Sequence, residues 1–103
     1  MRVASFLAIV TGSGGGIGEV IAKKLATQGA NLVINDVNAE GAERVAGEIR
    51  GLGVEALVCV GSVTNAADID AMVEATMAKF GRIDILVNNA GITRDNPMIR
   101  MSE

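Results

Sequence analysis

Thr11-Gly12-Ser13-Gly14-Gly15-Gly16-Ile17-Gly18 decides the fold through what stands on either side of it. Before it, Val3 to Val10 is a nearly continuous apolar run, the pattern of a strand covered on both faces. After it the period turns helical, with Ile17, Val20, Ile21 and Leu25 spaced for one face and Gly29 as a stop signal. Glycines at a strand-to-helix junction allow positive φ and let a ligand approach the backbone, while the first helical turn presents free amides and the positive end of the helix dipole. Pyrophosphate suits such a loop; a plain connecting turn is the simpler alternative, and the position after a first strand favours the phosphate.

Outward from the loop the alternation continues. Leu32, Val33 and Ile34 read as a second strand, Asn35 to Asn38 as a polar turn, and Ala42, Val45, Ala46 and Ile49 as the apolar face of a helix ending among Gly51 and Gly53. Ala56 to Val60 is a third strand, Thr64 or Asn65 caps a helix bearing Ile69, Met72, Val73, Thr76 and Phe80, Gly81 ends it, and Ile83 to Val87 is a fourth strand. A new helix is expected near Pro97, because proline suits a first helical turn. This alternation predicts an α/β fold with parallel strands joined by right-handed crossovers; if its three-layer sheet takes the order 3-2-1-4, the chain is truncated after the fourth strand. The fourth strand would then be an edge, and only the third helix would cover its side of the sheet. A chain built so is expected to expose apolar surface and to be marginal, aggregated or dependent on a partner segment.

The 103 residues suffice for one domain or part of one and cannot hold two independent cores. Thirteen glycines beside one proline argue for special backbone positions rather than proline-rich disorder. Twelve acidic against nine basic residues give a net charge of -3, which disfavours nucleic acid as a partner. Cys59 is the sole cysteine and there is no histidine, so neither an internal disulfide nor the usual zinc ligand sets can be assembled. Within its apolar strand Cys59 reads as a small hydrophobe, and Met72 and Met77 as helix packing. Arg2 and the apolar run after it imitate a signal peptide but lead straight into the glycine loop, and no run approaches the ~20 residues that cross a bilayer. The expected location is the cytoplasm, without a membrane partner. With no tyrosine, histidine or tryptophan, any acid or base must be Asp, Glu, Lys, Cys or a chain terminus.

The letters discriminate among nucleotide loops. A GxxxxGK[ST] loop fails because Glu19 follows Gly18, and a strict GxGxxG fails because Ile17 stands where its third glycine would be; the pattern is GxxxGxG on Gly12, Gly16 and Gly18. Asp36 lies eighteen residues beyond Gly18, at the carboxyl end of the second strand, where a carboxylate accepts hydrogen bonds from an adenosine ribose. A turn or capping aspartate is the alternative. Asp36 would repel a ribose phosphate, and neither Gly12–Gly18 nor Asn35–Asn38 contains an Arg or Lys to neutralise one. NAD is therefore expected in preference to NADP.

Asn88-Asn89-Ala90-Gly91 at the end of the fourth strand, together with TGxxxGIG at Thr11 to Gly18, resembles the short-chain dehydrogenase/reductase family. Gly91-Ile92-Thr93-Arg94-Asp95-Asn96 and Met98-Ile99-Arg100-Met101 are similar to the β-ketoacyl-acyl carrier protein reductases within it. The resemblance implies a Rossmann-like domain of which this chain is the amino-terminal, cofactor-binding part. It implies that Thr11 braces the loop and that Gly12, Ser13, Gly14, Gly15, Gly16, Ile17 and Gly18 hold the dinucleotide. Asp36 and Val37 would border the ribose, Ser62 and Val63 the adenine, and Asn88, Ala90 and Gly91 the cofactor cleft.

Two departures bear on these roles. Ser62 stands where many members carry an aspartate, and Gly15 where NADP-using members commonly carry an arginine. The second agrees with Asp36 but conflicts with a ketoacyl reductase's usual NADPH; an NAD-linked 3-hydroxyacyl thioester dehydrogenase satisfies both. The family's YxxxK pair and catalytic serine have no counterpart among these residues, and Ser102 does not match the serine. No catalytic residue is therefore assigned, and the chain alone is expected to be inactive. The implied complete enzyme is a homo-oligomer moving hydride to or from an acyl thioester or small carbonyl substrate; the alternative is a non-catalytic dinucleotide-binding or interaction module.

Overall fold

A computed structural model describes residues 6–89 and the backbone of residues 98–101. The elements run β1 (Leu7–Thr11), α1 (Gly16–Thr27), β2 (Asn31–Asp36), α2 (Ala39–Arg50), β3 (Ala56–Val60), α3 (Ala66–Phe80), β4 (Ile85–Asn88) and β5 (Met98–Met101). They form one sheet of order β3-β2-β1-β4-β5, in which the first four strands are parallel and β5 is antiparallel to β4.

The continuous apolar run is explained by the place of β1, which lies between β2 and β4 and is buried at every residue. Alternation along the strand sends Ala8 and Val10 into the core under α1 and α2, with Val45 and Ile49. Leu7 and Ile9 go to the opposite face, beside Met72 of α3. The helices begin and end where local chemistry dictates. Asn38 caps α2 by accepting from the Gly41 amide, and Asn65 caps α3 by accepting from Ala67 and Asp68. Gly81 closes α3 in the left-handed region at φ +75°.

Three expectations require correction. In α1, Ile17 and Val20 are 65% and 66% exposed, and the buried residues are instead Gly18, Ala22 and Ala26. A stripe of small residues at spacing four lets the helix backbone lie close on the sheet and turns Ile17 and Val20 outward, while Ile21 and Leu25 pack half-buried against the core as their spacing predicts. In α3, Val73 and Met77 are exposed, while Met72 and Thr76 face the core.

The third correction concerns the end of the chain. Met98–Met101 is a strand where a helix was expected, although Pro97 itself lies outside the described residues. Its pairing of Ile85 with Met101 and Asn88 with Met98 removes β4 from the sheet edge. An unpaired strand edge is a row of amides and carbonyls that require partners, and that demand overrides a single proline's local preference.

Because β1 to β4 are parallel, their carboxyl ends meet at one end of the sheet. The glycine loop, Asp36, Gly61 and Asn88 are brought together there from segments far apart in sequence.

Candidate functional site

The glycine loop takes the shape its sequence permits. Gly12 and Gly16 have φ of +66° and +60°, in the left-handed region. A Cβ on Gly18 would lie 2.3 Å from the Gly12 carbonyl oxygen and 2.9 Å from Nδ2 of Asn89, so only glycine lets α1 start this close to the loop. A Cβ on Gly15 or Gly16 would meet nothing within 4 Å, which leaves an open cradle at the start of α1. The N-cap of this helix is Gly15, which has no side chain to satisfy the amides of the first turn. Free amides and an open backbone fit a pyrophosphate.

Ser13 is placed differently from its neighbours. It is fully buried, its hydroxyl donates to the Val10 carbonyl at 2.6 Å and accepts from the Asn35 amide at 3.1 Å, and its own amide donates to the Asn35 carbonyl at 2.8 Å. Its side chain thus braces the loop against β2 rather than facing the cradle. Thr11 braces the other side, donating from Oγ1 to the Val87 carbonyl at 3.3 Å.

Asp36 ends β2 directly beside the loop. Its Oδ2 accepts from the Gly14 amide at 2.9 Å and its Oδ1 from the Asn38 amide at 3.0 Å, so both carboxylate oxygens are oriented before any ligand arrives. A carboxylate oxygen has a further lone pair for a ribose hydroxyl. Gly12, Asn35, Asp36, Val37, Gly61, Ser62, Val63 and Thr64 line a cavity of about 210 Å³ at this point. Val37 is 69% exposed at its rim and offers an apolar surface to a flat ring.

On the β3 side of the cavity, Ser62 does not leave its polar groups free. Its amide donates to Oδ2 of Asp68 at 3.0 Å, and its hydroxyl lies 2.7 Å from that of Thr64. Asp68, in the first turn of α3, thereby fixes the segment. Asn35, which was not singled out in the sequence, links β2 to β3 by donating from Nδ2 to the carbonyls of Cys59 at 3.0 Å and Gly61 at 3.3 Å. A polar residue closing the apolar run Leu32–Ile34 was the available signal.

The NNAG segment also contributes through its less conspicuous residue. Nδ2 of Asn89 donates to the Gly12 carbonyl at 3.2 Å across 77 residues, which joins the end of β4 to the loop. Asn88 is exposed and, with Thr11, Val63, Thr64, Ile69, Met72 and Leu86, lines a second, mainly apolar cavity of about 310 Å³. Ala90 and Gly91 lie outside the described residues, as do Arg94 and Asp95.

Charges nearby are mutually committed. Glu19 of α1 binds Arg44 of α2 at 2.9 Å and Lys23 at 2.6 Å, while Glu48 pairs with both cations. The guanidinium of Arg44, then the ammonium of Lys23, pull the Glu19 carboxyl down to about 2. Lys23 is a bridge between α1 and α2. Arg44 borders the hollow formed by Gly14, Asn38 and Gly41, so its pairing leaves little charge to balance a phosphate beside Asp36. Cys59 is half-buried against the α3-side core, and burial pushes its thiol up, away from thiolate chemistry. Among the described residues no helix is long and apolar enough to cross a membrane, and no group of three His, Cys, Asp or Glu could hold a metal ion.

The chain is 44% identical over 97 residues to the 3-oxoacyl-[acyl-carrier-protein] reductase FabG of Staphylococcus aureus, covering 93% of this chain and 39% of that one. It is 42% identical over 103 residues to the (2S)-[(R)-hydroxy(phenyl)methyl]succinyl-CoA dehydrogenase subunit BbsD of Thauera aromatica, covering all of this chain and 42% of that one. A solved 7α-hydroxysteroid dehydrogenase complexed with NADH and 7-oxo glycochenodeoxycholic acid superimposes with a TM-score of 0.79 at 40% identity, covering 82% of this chain and 33% of that one. The chain thus spans well under half the length of these relatives. The family model for short chain dehydrogenases matches residues 7–103, and the chain belongs to that family.

Proposed function

We propose that residues 1–103 are the partial, cofactor-binding domain of an NAD-linked oxidoreductase that moves hydride to or from a 3-oxoacyl or 3-hydroxyacyl thioester, or a related ketone or alcohol. The observation that carries the cofactor reading is the carboxylate of Asp36, fixed by two amides at the mouth of the 210 Å³ cavity. The nicotinamide, when bound, supplies the hydride acceptor or donor. The chain's own residues bind and orient: the amides at the start of α1 hold the pyrophosphate, Asp36 holds the adenosine ribose, Val37 and Val63 flank the adenine, and Asn88 borders the cleft toward the nicotinamide.

Choice between the dinucleotides follows from charge. A ribose phosphate would sit against the Asp36 carboxylate, and Arg44 is already engaged by Glu19 and Glu48. NAD is accordingly favoured, with NADP the weaker ligand. The thioester substrate is supported by two relatives whose names specify acyl-carrier-protein and CoA thioesters. Carbonyl reduction also requires a proton at oxygen, and this chain contains no tyrosine or histidine to deliver one. The 103 residues alone are therefore proposed to bind the cofactor without turnover.

Titration of the chain with NAD+ and NADP+, followed by an assay of purified chain with NADH and an acetoacetyl thioester, tests this reading. Tighter binding of NAD+ without thioester-dependent NADH oxidation is expected. Equal or tighter binding of NADP+ would overturn the cofactor assignment, and turnover would overturn the inactivity.

A further inference from the structure

Gly41, in the first turn of α2, poses a question that its helix does not answer. Its backbone is helical, and in an open helical position alanine is favoured over glycine, so local preference argues against glycine here. Its surroundings supply the reason. A Cβ on Gly41 would lie 2.4 Å from the carbonyl oxygen of Gly14, a backbone atom of the glycine loop.

That contact closes a ring. The Asn38 amide donates to Oδ1 of Asp36 at 3.0 Å, the Asn38 side chain accepts from the Gly41 amide at 3.2 Å, Gly41 abuts the Gly14 carbonyl, and the Gly14 amide donates to Oδ2 of Asp36 at 2.9 Å. Any atom added at Gly41 must push Gly14 or the start of α2 away. Displacing either breaks one of the two hydrogen bonds that orient the carboxylate.

We infer that Gly41 is a positioning residue which, through Gly14, holds the Asp36 carboxylate in the orientation that selects NAD over NADP. The inference rests on the cofactor reading above, with Gly41 itself touching no cofactor. A loosened carboxylate can rotate away from a ribose phosphate, so the discrimination should fall even though Asp36 is retained.

The test is Gly41→Ala in the full 103-residue chain, read in two ways. Without cofactor, hydrogen exchange at the Gly14 amide is expected to quicken by about tenfold as its bond to a charged oxygen is lost. With cofactor, the ratio of NADP+ to NAD+ dissociation constants is expected to shrink by about tenfold. In an Asp36→Asn background the same substitution should leave that ratio unchanged, which a merely structural role would not produce.

Unchanged exchange at Gly14, an unchanged ratio, or an equal effect of Gly41→Ala with and without Asp36 would each overturn the inference. If the parent chain binds neither dinucleotide, the cofactor reading fails, and the Gly14 exchange still decides whether Gly41 positions the loop. Should Gly41→Ala not fold, Gly14→Ala approaches the ring from its other side, where a Cβ would lie 3.0 Å from Asp36 and from the Ala42 amide. That milder variant should narrow the ratio as well, and no narrowing would count against the ring.

Discussion

The amide of Gly14 donates to Oδ2 of Asp36 at 2.9 Å, bonding the glycine loop to the end of β2 across 22 residues. Loop and carboxylate are therefore linked directly. Asp36→Asn keeps the shape of the side chain but removes its charge. NAD+ affinity should drop by about tenfold, as expected when a charged hydrogen-bond acceptor becomes neutral, while NADP+ affinity should hold or rise. Calorimetric titration of both dinucleotides checks it.

Gly18→Ala places a Cβ 2.3 Å from the Gly12 carbonyl. Backbone cannot yield as a flexible side chain can, so a destabilisation of about 1–3 kcal/mol is expected from overpacking, together with loss of dinucleotide binding. Urea unfolding gives the first quantity and titration the second.

Ser13→Ala tests bracing rather than contact. The hydroxyl is buried and serves the Val10 carbonyl and the Asn35 amide, so its removal should cost about 1–3 kcal/mol of stability. The ratio of NADP+ to NAD+ dissociation constants, proposed to depend on Asp36, should stay as in the parent chain.

Glu19 provides the pH dependence. Its carboxyl is pulled from an ordinary 4.5 to about 2 by Arg44 and Lys23, so its contribution to stability is complete above pH 4.5 and is lost as pH falls toward 2. Thermal unfolding of Glu19→Gln beside the parent chain should show a lower Tm for the variant above pH 4.5, with the two curves converging near pH 2. A gap that persisted at the acid end would remove the ion pairs as its cause.

What the sequence made legible was mostly local. Gly12 and Gly16 announce a backbone shape, Asp36 stands alone at a strand end, and Ala42, Val45, Ala46 and Ile49 mark the buried face of α2. The misread face of α1 shows where periodicity fails: Ile17 and Val20 have the right spacing, but the stripe that touches the sheet is Gly18, Ala22 and Ala26, chosen for smallness. Asn35, Asn89 and Gly41 were not read as site residues because their roles exist only in contacts 24, 77 and 27 residues away, with Cys59, Gly12 and Gly14. The pairing of Met98–Met101 with β4 is likewise a demand of the sheet edge, which four letters do not display.

Which dinucleotide the loop and Asp36 hold is the property to measure first. Titrating NAD+ and NADP+ into the ¹⁵N-labelled chain, and following the amides of Gly12, Gly16, Ile17, Gly18 and Val37, measures both affinity and place. Saturable shifts at these amides with NAD+, and binding of NADP+ at least about tenfold weaker, are the result expected of NAD selection by Asp36. Saturable shifts elsewhere, no binding, or NADP+ bound as tightly as NAD+ would contradict it.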